Sequence, residues 1–297
     1  MPVERSIRRV AVVTCRTLPR PDPGLPVLRD AFGSRGVDAT IAAWDDQSID
    51  WSGFDAVVIQ STWNYVQEFD RFWPWIEATA RATRLINPLE IIRWNIHKRY
   101  LIELAALGVP TVATELVPAG VEPAWESIFA RWGEIVLKPA ISAGSFQTVR
   151  VTKGDVKAAR THRLANGSRD MLVQPLLLSV LEQGERNMVY LGGQFQHAIR
   201  KGARWSGQSE ASGGLLQPDR DELDLAEQVL AIVRAKGIGE PAYARVDVAR
   251  DRDDRAVLME LELIEPSLFF DRVPAAAGRL AEIVLATLQQ GTKPRLS

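Results

Sequence analysis

The chain has 297 residues, 36 Lys and Arg against 37 Asp and Glu, a formal charge of -1 and 46% hydrophobic residues. That length can bury a full core in one or two compact domains, and the balanced charge disfavours a nucleic-acid binder, which carries a basic excess or stripe. A single cysteine, Cys15, precludes an intramolecular disulfide and fits a reducing compartment.

The apolar run after Arg9 is short and ends in a charged, Pro-rich loop, so residues 1–8 lead into no signal-peptide core. No segment approaches the apolar length of a membrane span. The expectation is a soluble, cytoplasmic protein with no membrane or nucleic-acid partner. Val10 to Cys15 reads as a buried parallel strand, followed by a loop, Pro19 to Gly24, at the strand end where open α/β sheets bind ligands. A helix from Leu25 to Gly36, strands Ala39 to Ala43 and Asp55 to Ile59, a helix from Glu68 to Thr83 and a strand Arg84 to Asn87 complete an alternating β/α unit. No Gly-x-Gly-x-x-Gly follows the first strand, which disfavours a dinucleotide site. Trp63, Asn64 and Tyr65 lie at the end of the third strand, where they could line a pocket or simply form a packed turn.

The pattern from Asn95 to Leu107 predicts an amphipathic helix with Asn95 as N-cap and Gly108 as its stop. Glu134 to Leu137 is an apolar strand ending in Lys138 and Pro139, and the small residues Ala140 to Ser145 lead into a second strand, Thr148 to Val151. Small residues such as Ser142, Gly144 and Ser145 let backbone N–H groups approach phosphate oxygens, while Lys138 supplies charge. An ordinary hairpin with a snorkelling lysine would read the same way. Met171 to Gln174 is a strand stopped by Pro175, and Glu185 to Leu191 should pair with Gln194 to Ile199 across Gly192-Gly193. Arg200 and Lys201 then enter a Gly/Ser-rich loop, and Asp221 to Lys236 and Ala275 to Leu288 are the last long helices.

Ala244 to Val248 and Leu258 to Ile264 are apolar segments with charges at every second place, joined by a charged run. A tight turn on Asp253-Asp254 would set Asp247 opposite Glu260 and Arg245 opposite Glu262, all on one face. Three carboxylates crowded there repel one another unless a cation sits among them, and oxygen ligands without Cys or His suit Mg²⁺. Arg245 would stay beside them to hold an anion. A solvent-exposed acidic face is the plainer alternative.

Arg245-x-Asp247, a gap, then Glu260-x-Glu262 resembles the closing signature of the ATP-grasp superfamily of carboxylate–amine ligases. The tail from Glu262 to Leu268, together with Ser61 to Tyr65, resembles more narrowly the D-cycloserine synthetase type, the O-ureido-D-serine cyclo-ligases. The resemblance implies an α/β (α+β) architecture: an ATP-grasp fold behind an N-terminal parallel β/α pre-ATP-grasp domain. Its divisions would be a substrate domain at 1–90, a small lobe at 91–177 and a metal-bearing lobe at 178–297. It further implies ATP and Mg²⁺, with Lys98 and Lys138 on the phosphates, the backbone of Gln174 and Leu177 on adenine and Glu185 on the ribose. Asp247, Glu260 and Glu262 would hold the metal, Arg200 or Lys201 the γ-phosphate, and Arg245 the oxyanion. Trp63, Asn64 and Glu265 are the substrate candidates, Glu265 for an amino group. His97 stands where the superfamily usually has Asp, and Glu262 where most members have Asn. The implied reaction activates a small amino-acid carboxylate as an acyl phosphate and closes a ring by attack of an amine in the same molecule. An intermolecular ligase and a non-catalytic nucleotide-binding module are the alternatives, and a homodimer is left open.

Overall fold

A computed structural model of the protein describes residues 8–18, 22–203, 205 and 212–290. Pro19 to Pro21, in the first expected ligand loop, and residues 204 and 206–207 of the Gly/Ser-rich loop lie outside the described residues. The chain begins with β1 (Arg9–Thr14), α1 (Gly24–Gly33), β2 (Asp38–Ala43), β3 (Ala56–Ser61), α2 (Phe69–Ala82) and β4 (Arg84–Ile86). The four strands pair in parallel in the order β2-β1-β3-β4. Alternate residues of β1 feed two cores: Val10 and Val12 pack with Phe32 and Leu280, whereas Ala11 and Val13 pack with Phe72 and Ile76. Helices therefore cover both faces, which is why the strand reads as an unbroken apolar run.

Next come α3 (Leu89–Asn95), α4 (Tyr100–Ala106), β5 (Glu115–Val117), α5 (Trp125–Trp132), β6 (Ile135–Pro139), β7 (Val149–Val151), α6 (Val156–Ala165) and β8 (Met171–Pro175). Here β5-β8-β6-β7 form an antiparallel sheet, with α5 and α6 packed on one face through Trp125, Phe129 and Ala159. The remaining elements are α7 (Leu178–Glu182), β9 (Glu185–Leu191), β10 (Gln194–Lys201), β11 (Ser212–Leu216), α8 (Arg220–Ala235), β12 (Tyr243–Arg250), β13 (Ala256–Glu262) and α9 (Pro274–Gln290). Their strands form an antiparallel sheet in the order β11-β10-β9-β12-β13, backed by α8 through Leu225, Val229 and Val233. Among the described residues no helix is long and apolar enough to cross a membrane.

Two local expectations need correction. Asn95 does not begin a helix; it ends α3, and α4 starts only at Tyr100. Its buried amide is committed elsewhere: Nδ2 donates to the Leu261 carbonyl and Oδ1 accepts from the Leu263 N–H, at 2.9 and 3.0 Å. The side chain thus supplies β13 with the donor and acceptor of a missing neighbouring strand. Lys98 falls in the break between the two helices, where its own N–H donates to the Ala140 carbonyl at 2.8 Å.

The hairpin of β12 and β13 has the expected pairing, Asp247 with Glu260 and Arg245 with Glu262, but reaches it by another route. The N–H of Asp251 bonds the Arg255 carbonyl and Asp254 takes a left-handed φ of 58°, so the loop is one residue longer than a turn on Asp253-Asp254. A register shift between Asp247 and Val248 then compensates, leaving Met259 as the extra residue on β13. This bulge lets Leu258 and Leu261 both enter the core under α8, while Met259, Glu260 and Glu262 all line the cleft on the other side.

Candidate active site

The cleft lies between the two antiparallel sheets. From the smaller sheet, Lys138 leaves the end of β6 and the loop after it contributes Ser142, Gly144 and Ser145. Gly144 and Ser145 both adopt left-handed backbone, at φ 60° each, which folds the loop tightly over the opening. Gln174 and Leu177 line the cleft at the crossing between the sheets, and the Gln174 amide is anchored by donating to Thr114 Oγ1 at 2.9 Å. From the larger sheet come Glu185, Lys201, Asp247, Glu260 and Glu262. Glu182, the other acid before β9, is exposed.

Strand alternation separates Arg200 from Lys201. Lys201 pairs with Glu185, so both point into the cleft, whereas Arg200 pairs with Arg186 on the opposite side and is exposed. The γ-phosphate role expected of Arg200 or Lys201 therefore has the right placement only at Lys201. The apolar lining of Val136, Val180 and Met259 escaped sequence reading, because each belongs to a run that looks like ordinary core.

At the floor of the cleft, charge is concentrated and dry. Arg245 is 2% exposed and forks onto Asp247, with Nε to Oδ1 at 2.8 Å and Nη2 to Oδ2 at 2.7 Å. The same Nη2 reaches Glu262 Oε1 at 2.6 Å. Lys98 Nζ lies 2.9 Å from Glu260 Oε1 and donates to the Ser142 carbonyl at 2.5 Å, tying the loop to the hairpin. Lys138 Nζ stands 3.9 Å from Glu260 Oε2. Burial works to raise the pKa of Glu260, but Lys98 and then Lys138 overcome it and hold it at about 2. Glu262 is less well compensated: burial is only partly offset by Arg245, and its pKa rises to about 7. Burial also raises Glu185 and lowers Lys138.

Asp247, Glu260 and Glu262 are the residues that could hold a divalent cation, and their donors are all hard oxygen. Arg245 and Lys98 now sit on those oxygens, and among the described residues no three His, Cys, Asp or Glu are spaced as a ready metal centre. The charge balance nevertheless fits an added cation, because Glu262 and Glu185 are held up and a cation would bring them down.

Beyond Arg245 the N-terminal strand end closes over the hairpin's tail. Trp63 Nε1 donates to the Glu265 carbonyl at 3.0 Å, and the Tyr65 hydroxyl bonds the Glu265 carboxyl. Burial, then Glu262, pushes the Glu265 carboxyl up to about 8. Asn64 is spent within the N-terminal unit: Oδ1 accepts from Trp44 Nε1 at 2.7 Å and Nδ2 donates to Asp45 at 2.9 Å. Both of these bonds stay within the N-terminal unit, whereas its neighbour Tyr65 reaches Glu265.

A family model described as the N-terminal domain of D-cycloserine synthetase DcsG matches residues 10–87. The cycloserine biosynthesis protein DcsG of Streptomyces lavendulae is 32% identical over 284 residues, covering 90% of this chain and 95% of that protein. The crystal structure of D-cycloserine synthetase DcsG superposes with a TM-score of 0.87 at 31% identity, covering 94% of this chain and 99% of the other. At the level of fold alone, D-alanine–D-alanine ligase from Bacillus anthracis matches with a TM-score of 0.65 at 11% identity, over 95% of this chain and 98% of its own. The chain belongs to the D-cycloserine synthetase family of ATP-grasp C–N ligases.

Proposed function

We propose that the protein uses ATP and Mg²⁺ to close a small amino acid on itself, in the manner of a cycloserine-forming ligase acting on an O-ureido-D-serine-like substrate. The division into a substrate unit at 1–90 and two nucleotide-binding lobes at 91–177 and 178–297 is part of this reading. The substrate carboxylate oxygen bonds to the γ-phosphorus as the β–γ bridging bond breaks, giving an acyl phosphate and ADP. The amine of the same molecule then attacks the acyl carbon and phosphate departs. Lys98, Lys138 and Lys201 neutralise the phosphates, and Asp247, Glu260 and Glu262 hold Mg²⁺, which when bound screens the charge of the transferring group. Arg245, which shares the Asp247 and Glu262 oxygens that would hold the cation, would grip the substrate carboxylate and the oxyanion that develops from it. Glu265, with its raised pKa, is suited to accept a hydrogen bond or a proton from the amine.

The observation that favours ring closure over joining is the pair of hydrogen bonds from the N-terminal strand end, from Trp63 and Tyr65, to Glu265. It ties the N-terminal unit to the hairpin's tail beside Arg245, and an amine tethered to the carboxylate needs no second binding site. The test is ADP release against D- and L-amino acids, singly and in pairs, with mass spectrometry of the product. A product built from one amino-acid unit is expected. A product of two units less one water would establish the intermolecular ligase, and absence of ADP release from every substrate would leave a nucleotide-binding module.

A further inference from the structure

Asn187 sits in the middle strand of the large sheet, with Ile199 of β10 on one side and Asp247 of β12 on the other. It is 0% exposed, and neither Oδ1 nor Nδ2 has a hydrogen-bond partner among the described residues. Alternation puts it on the cleft face of β9, next in line to Glu185, and the pairing runs Glu260, Asp247, Asn187 across three strands. Side chains directly opposite on adjacent strands have Cβ atoms about 4.5–5.5 Å apart, so the amide lies against the Asp247 carboxylate.

An unpaired buried amide costs about 1–3 kcal/mol, and its neighbours Val189 and Ile199 show that an apolar residue would be accommodated in this part of the sheet. Asp247 does not relieve it: both of its oxygens accept from the Arg245 fork, and neither takes a bond from the Asn187 amide. A carboxylate at this place would add to a cluster where Glu185, Glu262 and Glu265 are already held up, and a cation would compete with Lys201. A neutral group that can both donate and accept meets the constraint.

We propose that Asn187 is a further binding residue of the site, its carboxamide bonding the cation–phosphate group held beside Asp247. Nδ2 is directed to a phosphate oxygen and Oδ1 to the cation or a water bound to it. This rests on the nucleotide reading above. Such a residue inverts the usual consequence of mutating a buried polar group: replacing it should leave the unliganded protein as stable or more stable, while weakening ligand binding.

The experiment is Asn187→Leu, which keeps the number and branching of the side-chain heavy atoms, followed by thermal unfolding without ligand and by calorimetric titration with ADP in MgCl₂. Expected are a melting temperature equal to or above wild type and an ADP dissociation constant raised about tenfold, the scale of losing a hydrogen bond to a charged group. A variant that binds ADP within twofold of wild type overturns the assignment, whatever its melting temperature. Should the leucine variant not fold, Asn187→Ala is titrated in its place, with a tenfold loss supporting the role and affinity within twofold of wild type overturning it. A wild-type protein that takes up no ADP·Mg overturns the nucleotide reading and this assignment together. Wild-type binding matched by the variant overturns the assignment alone.

Discussion

Arg245 and Arg250 lie on the same strand, β12, and each is forked onto more than one carboxylate, yet the two clusters have opposite electrostatic character. Arg250 gathers Asp219, Asp221 and Glu222 at 2.8, 2.5 and 3.1 Å, and those acids already serve α8: Asp219 and Glu222 form its capping box. Negative charge at a helix N-terminus is favourable without the arginine, and Asp221 is held below its ordinary pKa by its bond to Arg250. At Arg245 the acids have no such second role. Burial leaves Glu262 and Glu265 raised to about 7 and about 8, and only Glu260 is fully compensated, by the lysines. An acid held down by its own partner, as Asp221 is by Arg250, is satisfied within the fold. Acids held up by burial, as Glu262 and Glu265 are, mark a place where the chain's own cations do not offset the buried negative charge, which is the condition for recruiting a cation from outside.

If that distinction is right, the largest effect belongs to Glu260. Glu260→Gln keeps the volume and the hydrogen bond from Lys98 but removes the charge that two lysines face. Turnover should fall at least about a hundredfold, since several kcal/mol of transition-state stabilisation rest on the cation site, while the variant still folds, at a lower melting temperature, because Lys98 and Lys138 lose their buried counter-ion. Near wild-type turnover at limiting Mg²⁺ would remove Glu260 from the metal site.

Lys138→Ala comes next. Its ammonium is buried in the cleft with its pKa lowered, first by burial, so a phosphate partner would stabilise its charged form. The KM for ATP should rise and kcat fall, with kcat/KM down about tenfold to a hundredfold. Unchanged calorimetric affinity for nucleotide would make Lys138 a strand-end residue only.

The other half of the comparison predicts the reverse split. Arg250→Met should cost stability and spare activity. Glu222 is 1% exposed at its side chain but keeps Arg186 at 3.1 Å, and Asp219 and Asp221 are 71% and 53% exposed, so water takes them over. The loss should be about 1–2 kcal/mol, below the figure for breaking a fully buried pair, and read as a lower midpoint in urea with kcat/KM within twofold. A kcat/KM loss as large as that of Lys138→Ala would erase the distinction between the two arginines.

How far this was legible in the sequence varies with what each residue bonds to. The pairing of Asp247 with Glu260 was readable because a buried strand fixes its faces by alternation. The route to it was not: the longer loop and the Met259 bulge offset each other, and an offset leaves no trace in the pattern. Lys201 over Arg200 depends on one register, Lys201 with Glu185, which adjacent basic residues cannot reveal. Asn95 looked like a helix cap because its local pattern permits one, but a contact with β13 far along the chain claimed its amide. Asn187 was invisible for a related reason, since a neutral residue inside an apolar strand announces nothing until its partners are counted.

The smallest effect is a difference in pH dependence. Glu262 has its pKa raised from 4.5 to about 7, so the folded protein holds a proton that the unfolded chain has released. Between those values the native state binds more protons, and stability falls as pH rises; above about 7 the decline from this group levels off. Glu265, raised to about 8, acts in the same direction, and Glu262's charge is the next cause of its shift after burial. The half-buried His97 and His162 and the buried His197 act oppositely, because burial lowers their pKa and stability is lost as pH falls below 6.5 toward their lowered folded values. A wild-type profile alone therefore mixes both signs. Glu262→Gln separates them: it removes one carboxylate, lowers the other's pKa and leaves the histidines in place. The variant should match wild type near pH 5 and become progressively more stable than wild type up to about pH 8, as followed by urea unfolding without Mg²⁺ or nucleotide. Saturating ADP and Mg²⁺ should diminish that advantage, since a bound cation stabilises the Glu262 carboxylate that the variant lacks. Parallel profiles for the two proteins from pH 5 to 8 would mean that Arg245 fully compensates Glu262, and that the hairpin cluster is as complete within the fold as the one around Arg250.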